Sequence, residues 1–283
     1  MKITHIEARE ILDSRGWPTV EVSLVLDNGA FVTASVPSGA SVGKYEAVEI
    51  RDGDARYMGK GVHKAIATIE HQIAPALIGL EPDTVDIDSL LISMDDTENK
   101  SNLGANAILP VSIAVCKAQA MIEELEPYEA IAYLCGYDSV AVSCPMFNII
   151  NGGAHANNNL SIQEFMIMPI GCHSIRASVE LGVTVFQTLK KILQDKGQSV
   201  AVGDEGGFAP DFEDEREALD CIMSAIKKVE NDYEGTVMIA LDVAASQLYA
   251  PGKKTYMLQG NHMDSSELID WYESLLGSYP IYS

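Results

Sequence analysis

The sequence predicts an α+β N-terminal domain, made of a three-stranded meander plus helices, followed by an incomplete β/α barrel. Three observations support this prediction. About the first 37 residues have the period of strands and are followed by helical patterns, which is typical of an α+β unit. Beyond residue 140, strands alternate with helices, as in a β/α barrel. We therefore expect domains at 1–140 and 141–283. A complete (β/α)8 barrel takes about 250 residues. Because the second domain is much shorter than that, we expect it to end near its fourth strand.

The meander is predicted from alternating apolar residues. The segment "TVEVSLVL" has an apolar side chain at every second position, as in a strand with one buried face: Val20, Val22, Leu24 and Leu26. Asp27-Asn28-Gly29 follows as a hairpin turn signal, and "FVTASV" comes directly after it. Together with "ITHIEAREIL", these segments predict three strands.

Helices are predicted over the rest of the first domain. After a loop of small residues from Pro37 to Ala47, apolar residues recur every three or four positions from Gly61 to about Leu80. Further helices are predicted at 84–94 and 105–125. Pro110 is expected to kink the last of these, because proline cannot donate the backbone hydrogen bond of a helix interior.

The second domain is predicted from short apolar strands and longer amphipathic helices. Strands are expected at 143–150, 163–169 and 237–242, with the start of another at "YPIYS". Two helices in succession follow the second strand, and a third is expected at 265–276. The strands of a β/α barrel run parallel, and their C-terminal ends face the active site.

Composition narrows the classes of protein. The net charge of −22 argues against nucleic acid as a partner, since binding it requires a cationic face. An anionic metabolite remains a possible ligand if divalent cations lie between it and the protein. Apolar runs are shorter than a membrane span and the N-terminus does not resemble a signal peptide, so we expect a cytoplasmic protein. Five cysteines without CxxC spacing are typical of free thiols.

Three acids accompany the predicted strands of the second domain. They are Glu164 in "IQEFMIMP", Glu205 in "VGDEGGFAP" and Asp242 in "IALDVAAS". One carboxylate could bind Mg²⁺, which prefers hard oxygen ligands, and another could transfer a proton if its pKa were raised. Alternatively, Asp204 and Glu205 cap a helix that begins near residue 213 or lie solvated in a loop, and Asp242 is a turn residue. Glu164 is the hardest to explain structurally, because it lies inside an apolar strand where an unpaired charge is costly.

Six segments, taken together and in order, resemble the enolase family, the phosphopyruvate hydratases. They are "AREILDSRGWPTVE", "ASVPSGASVGKYEAVEIRD", "TENKSNLGANAIL", "FNIINGGAHANNN…IQEFMIMP", "VGDEGGFAP" and "IALDVAAS". The resemblance implies an enolase-type barrel and the reversible, Mg²⁺-dependent dehydration of 2-phosphoglycerate to phosphoenolpyruvate in glycolysis. The superfamily is a known case of a Lys or His base working with one or two Mg²⁺.

Site roles follow from the same resemblance. Asp242 matches a ligand of the first of two Mg²⁺ ions. Ser41, in the "SGAS" loop that closes as a lid, matches a ligand of the second. Both ions belong to the complete site.

Four residues match groups that act on the substrate. Glu205 matches the acid that protonates the departing hydroxyl, and Glu164 is its companion carboxylate. His155, by itself more readily explained as a loop histidine, and Gln163 match contacts to the substrate.

The match is incomplete. In the family, later strands supply two more metal-binding acids and the lysine base, so we expect doubtful activity from these 283 residues alone. Trp17, Val42, Pro110 and Gln247 also differ from the residues usual in the family.

Two other functions remain open, and the resemblance adds an expected assembly. The alternatives are a non-catalytic enolase-like binding or assembly module and, less well supported by the motifs, another enzyme of the superfamily. The resemblance further implies a homodimer or larger assembly. Family members sometimes also occur at the cell surface.

Overall fold

A computed structural model describes residues 1–39 and 42–283. It divides the chain into two compact units, Met1–Ala141 and Val142–Ser283. Each unit has its own hydrophobic core, and each is described by itself.

The first unit begins with the predicted meander. Its strands are β1 (Ile3–Leu12), β2 (Pro18–Leu26) and β3 (Phe31–Val36), paired antiparallel in the order β1-β2-β3. Along β3 every second residue is buried, as the alternation predicts. At the turn between β2 and β3, Gly29 has a φ of 83°, a conformation that glycine adopts without strain. The meander is therefore confirmed.

Helices cover one face of this sheet. They agree with the prediction except for a π-helical turn within the first helix and one additional short helix. The helix predicted from Gly61 consists of two α-helical segments joined by a π-helical turn, Ile69–Ile73. A short helix, whose N-terminus is stabilised by a capping box of Glu126 and Glu129, was not predicted. The helices are α1 (His63–Thr68), α2 (Ala74–Leu77), α3 (Thr84–Asp95), α4 (Ala105–Ile122) and α5 (Pro127–Leu134).

Helix α4 is the core helix of the first unit. It packs on β2 and β3 and continues through Pro110 to Ile122, so the proline does not end it. By length and composition α4 could also cross a membrane, but 44% of it is buried inside the unit. A helix buried to this extent is typical of a protein core, and we interpret it as such.

The second unit is built on a three-stranded sheet. The strands β4 (Phe147–Asn151), β5 (Glu164–Ile170) and β6 (Thr236–Asp242) pair in the order β4-β5-β6. Short parallel bridges extend it on both sides, from Ile150 to Phe208 and from Ile239 to Ile281. Over the part of the chain that the structure describes, the sheet does not close into a barrel, as expected for an incomplete one.

The direction of β5 corrects the sequence analysis. Both pairs, β4 with β5 and β5 with β6, are antiparallel, whereas parallel strands were expected. The connections explain this. Between β4 and β5 the only helical element is the three-residue 3₁₀ turn Gly153–His155, and between β5 and β6 the chain passes through two successive long helices, which return it to the edge that it left.

The remaining elements of the second unit are helices and small hairpins. The long helices α6 (Ile175–Asp195) and α7 (Glu215–Val229) pack together and against the sheet, and α8 (Ala245–Leu248) is a single turn. Strands β7 (Tyr249–Ala250), β8 (Thr255–Leu258) and β9 (Asn261–Met263) form an antiparallel sheet that was not predicted. Helix α9 (Ser265–Leu276) agrees with the prediction, and short 3₁₀ turns occur at Arg56–Gly59 and Glu230–Asp232.

Candidate active site

Three polar residues form a row across the sheet of the second unit. Asn151, the last residue of β4, is paired in register with Glu164, the first residue of β5, and Glu164 is paired with Asp242, the last residue of β6. Directly opposite residues of an antiparallel pair project from the same face. The row therefore places two of the predicted acids side by side.

The position of Glu164 differs from the expected one. It was expected inside a strand, but it begins β5 and is half-buried, with 17% of its side chain exposed. Because β5 runs antiparallel to its neighbours, its first residue lies at the same edge as the last residues of β4 and β6. The structure thus brings Glu164 to the edge where an active site was predicted, by a different route.

Glu205 lies in a tight turn. The amide of Gly203 donates to the carbonyl of Gly207 at 2.8 Å, and the amide of Asp204 donates to the carbonyl of His155 at 3.1 Å. Helix α7 is capped by Asp214, which accepts from the amide of Glu217 at 3.0 Å. The alternative that Asp204 and Glu205 cap this helix is therefore wrong, whereas the alternative that they are solvated in a loop agrees with the exposure of both residues.

Glycines let this turn approach β4 closely. A Cβ atom on Gly207 would lie 2.6 Å from Oδ1 of Asn151 and 2.9 Å from Oδ1 of Asn148. A Cβ atom on Gly203 would lie 2.5 Å from the carbonyl oxygen of His155. Since contacts this short do not occur with real side chains, only glycine permits the observed packing of the Glu205 turn.

The ionisation of Glu164 depends on burial and on the charged groups around it. Burial raises the pKa of Glu164 above 4.5, and the negative charges of Asp242 and Glu205 raise it further. His155 opposes these effects, with Nδ1 at 3.3 Å from Oε1 of Glu164. Because Nδ1 of His155 makes no hydrogen bond to the described residues, we describe the contact as an ion pair when the imidazole is protonated. A carboxyl group with a raised pKa is suited to proton transfer near neutral pH.

The chemistry of these residues fits a hard cation in part. The negative charges of Asp242 and Glu205 raise the pKa of Glu164, a divalent ion would offset this repulsion, and carboxylate oxygens are ligands that Mg²⁺ prefers. One oxygen of the exposed Asp242 accepts from the amide of Ala244 at 2.9 Å. Among the described residues, however, three metal-ligating side chains do not converge on one point. Asp242 is a suitable ligand that needs others to complete a site.

Ser41, the other predicted metal ligand, lies outside the described residues. Its role in holding a second ion stays a prediction.

The two predicted substrate contacts are buried beside this row. Both ring nitrogens of His155 and Oε1 of Gln163 are buried without a hydrogen-bond partner in residues 1–39 and 42–283. The backbone fixes their positions, since Gly152 donates to the carbonyl of Gln163 at 2.9 Å. His155, which alone could have been an ordinary loop residue, is thus a buried histidine in contact with Glu164.

Sequence reasoning missed three polar residues around this edge. Asn148 and Asn151 carry buried side-chain amides without a partner among the described residues. Glu215 is fully buried, and its side chain accepts a hydrogen bond from the amide of Ser161 at 2.8 Å. Ser161 is two positions before Gln163 in the chain. The position of Asn151 at a strand end, directly before two glycines, was a signal that could have identified it.

The chain is thus a protein of two units, an α+β unit and a unit built on an open sheet that carries two of the predicted acids at one edge. Comparison with protein families gives two successive matches. The model of the enolase N-terminal domain matches residues 3–131, and that of the enolase C-terminal TIM barrel domain matches residues 139–283. The chain belongs to the enolase family, and the resemblance seen in the sequence is confirmed.

Proposed function

We propose that the protein is a phosphopyruvate hydratase, which reversibly dehydrates 2-phosphoglycerate to phosphoenolpyruvate in cytoplasmic glycolysis and depends on Mg²⁺. The observation that carries this proposal is the half-buried Glu164, whose pKa is raised by burial and by the charges of Asp242 and Glu205. Family membership supplies the reaction class. The same grouping of acids would only destabilise a protein without a ligand or a proton to transfer there.

The described residues supply the acid side of the reaction. Dehydration removes the proton beside the substrate carboxylate and releases the hydroxyl of the next carbon as water. Glu205 donates the proton that the departing hydroxyl takes up, and Glu164 lies beside it as a companion acid of raised pKa. His155 and Gln163 contact the substrate. Abstraction of the carbon-bound proton is the step that the family pattern assigns to a lysine on a later strand.

Magnesium would be held by Asp242 and, for a second ion, by Ser41. When bound, Mg²⁺ neutralises the negative charge that develops on the substrate carboxylate. This requirement also agrees with the strongly acidic chain, since divalent ions allow an anionic substrate to approach it.

A homodimer or larger assembly is part of the proposal. Sedimentation velocity of the purified chain measures this directly, and a single species with the mass of one chain over the working concentration range would refute it. Catalysis and assembly are tested separately, because neither result decides the other.

The catalytic proposal is tested by following phosphoenolpyruvate absorbance with 2-phosphoglycerate and Mg²⁺. In the chain joined to the later strands of a family enolase, which supply the lysine base, we expect Glu205→Gln to lower kcat by about 10²- to 10⁴-fold, the usual contribution of a general acid. Asp211→Asn is the matched control, because Asp211 is an exposed acid in the same loop without a place in the site. Equal losses in the two variants would contradict the role of Glu205.

A second measurement does not require turnover. The chain is titrated calorimetrically with 2-phosphoglycerate in the presence of Mg²⁺, and Asp242→Asn is expected to weaken binding at least about tenfold. The assay is repeated with the chain joined to the later strands of a family enolase. Turnover by the 283 residues alone would overturn the expectation that those strands are needed. A folded chain that neither binds nor, when joined, turns over would favour the non-catalytic binding module.

A further inference from the structure

The side-chain amides of Asn148 and Asn151 are unusual because they are buried and lack partners. Asn151 is 0% exposed. For both residues, Oδ1 and Nδ2 have no hydrogen-bond partner in the part of the chain that the structure describes. Buried amides are nearly always hydrogen-bonded, either to protein or to ordered water. Four such atoms in one place therefore indicate a bound partner.

The backbone of Asn151, by contrast, is fully bonded. Its amide donates to the carbonyl of Phe208 at 2.9 Å, and its carbonyl accepts from Nδ2 of Asn158 at 2.9 Å. These bonds fix the residue at the end of β4. Only the side chain remains to be satisfied, so the unpartnered atoms do not result from a loosely placed segment.

The amides lie between two of the proposed acids. Asn151 is the register partner of Glu164 and projects from the same face of the sheet. On its other side is the Glu205 turn, where a Cβ atom added to Gly207 would lie 2.6 Å from Oδ1 of Asn151 and 2.9 Å from Oδ1 of Asn148. Both amides are therefore next to the turn that carries Glu205, and Asn151 also adjoins Glu164.

We propose that Asn148 and Asn151 bind a buried water molecule, and that Asn151 is thereby a positioning residue for Glu164 and the Glu205 turn. An amide both donates and accepts, as water does, and a buried water needs two to four polar partners. Asn148 and Asn151 supply two donors and two acceptors. The positioning role rests on the proposed function, whereas the water site does not.

A crystal structure of the 283-residue chain, at a resolution that defines waters, tests the site itself. We expect a water at about 2.7–3.2 Å from a side-chain amide atom of Asn151 and from one of Asn148. The inference is overturned if both amides bond directly to protein atoms and no water lies between them. This result stands whether or not the chain binds 2-phosphoglycerate.

The positioning role is tested with Asn151→Leu, which keeps the size of the side chain and removes both polar atoms. The water is expected to disappear, and kcat to fall about tenfold or more with KM changed less than about threefold. The matched control is Asn106→Leu, at a buried asparagine whose amide is fully bonded to Ile50 at 2.9 Å in both directions. It should lower the melting temperature and leave the kcat of the folded protein unchanged.

These measurements separate two kinds of failure. If the wild-type chain, alone and joined to later strands, neither turns over nor binds 2-phosphoglycerate, the proposed function fails, and the crystallographic water still decides the site. If the water is present but Asn151→Leu retains the wild-type kcat, the positioning role is wrong. If Asn151→Leu does not fold, the wild-type crystal structure decides the water site, and Asn151→Asp, which keeps the shape and an acceptor, is used for the kinetic measurement.

Discussion

Gly182, in the middle of α6, allows this helix to pack against β4. A Cβ atom at this position would lie 2.5, 2.6 and 2.8 Å from Cε2, Cζ and Cδ2 of the Phe147 ring. Ordinary van der Waals contact begins at 3.4 Å, so in Gly182→Ala the ring must move by roughly 0.6 to 0.9 Å. The ring is partly buried against the core of the second unit and cannot simply turn into solvent.

Two effects of opposite sign determine the result of this substitution. Overpacking a well-packed core costs about 1–3 kcal/mol. Alanine in place of glycine in a helix interior stabilises the folded state by about 1 kcal/mol. We therefore expect Gly182→Ala to lower the free energy of unfolding by about 1 kcal/mol, which corresponds to a melting temperature lower by about 2–8 °C for a domain of this size.

Urea unfolding is followed by tryptophan fluorescence in a Trp17→Phe background, so that the signal comes from Trp271 in the second unit alone. The control is Phe147→Leu, alone and combined with Gly182→Ala. Removing the ring should relieve the clash, so the double variant should be more stable than the sum of the single changes predicts, by about 1 kcal/mol or more. If Gly182→Ala stabilises the wild-type protein, or if the two substitutions are additive, the steric argument is wrong.

Three further predictions concern single residues. Burial alone would raise the pKa of Asp95, but hydrogen bonds including one from the Leu103 amide at 2.7 Å lower it below 3.8. The contribution of Asp95 to the free energy of unfolding is therefore complete above pH 3.8 and is lost as pH falls through the lower pKa of the folded state. We expect Asp95→Asn to flatten the acid side of a plot of this free energy against pH. Burial raises the pKa of Glu215 above 4.5, so the free energy of unfolding should fall as pH rises from 4.5 through the pKa of the folded state. Glu215→Gln should abolish this fall. If the free energy of the variant has the same slope against pH as that of the wild type, the prediction is wrong. Gly207→Ala should cost about 1–3 kcal/mol in urea unfolding and reduce kcat, because its Cβ would meet the backbone carbon of Ile150 at 3.0 Å; wild-type values of both would refute this.

The first unit could be predicted from the sequence because its signals are local. Alternating apolar residues define strands of six to ten residues, and the turn at Gly29 fixes where β2 ends. Helix α5 was missed, since eight residues span little more than two turns and give a weak helical period. The small hairpins β7–β9 were missed for the same reason, because strands of two to four residues show no alternation.

The sequence predicted that Glu164 and Asp242 lie at one edge of the sheet, but not how that edge is built. Periodicity identifies a strand without giving its direction, so Glu164 was expected inside a parallel strand. The two successive helices between β5 and β6 could have indicated the antiparallel direction. One long helix carries the chain to the opposite edge of the sheet, and the second returns it to the edge at which β5 ends, where β6 begins. The unpartnered amides of Asn148 and Asn151 could not be predicted, because they depend on which groups the folded backbone leaves unbonded.

The arrangement around Glu205 supports the function that we propose for this edge. Helix α7 has its own cap in Asp214, so Asp204 and Glu205 do not stabilise that helix end. The charges of Asp242 and Glu205 raise the pKa of Glu164, and charged neighbours of this kind disfavour the folded chain. Unpartnered buried groups on Asn151 and His155 add to this cost. Natural proteins depart from local rules of stability chiefly at functional sites, where a ligand or a transferred proton offsets the cost, and these departures all meet at the edge formed by Asn151, Glu164 and Asp242.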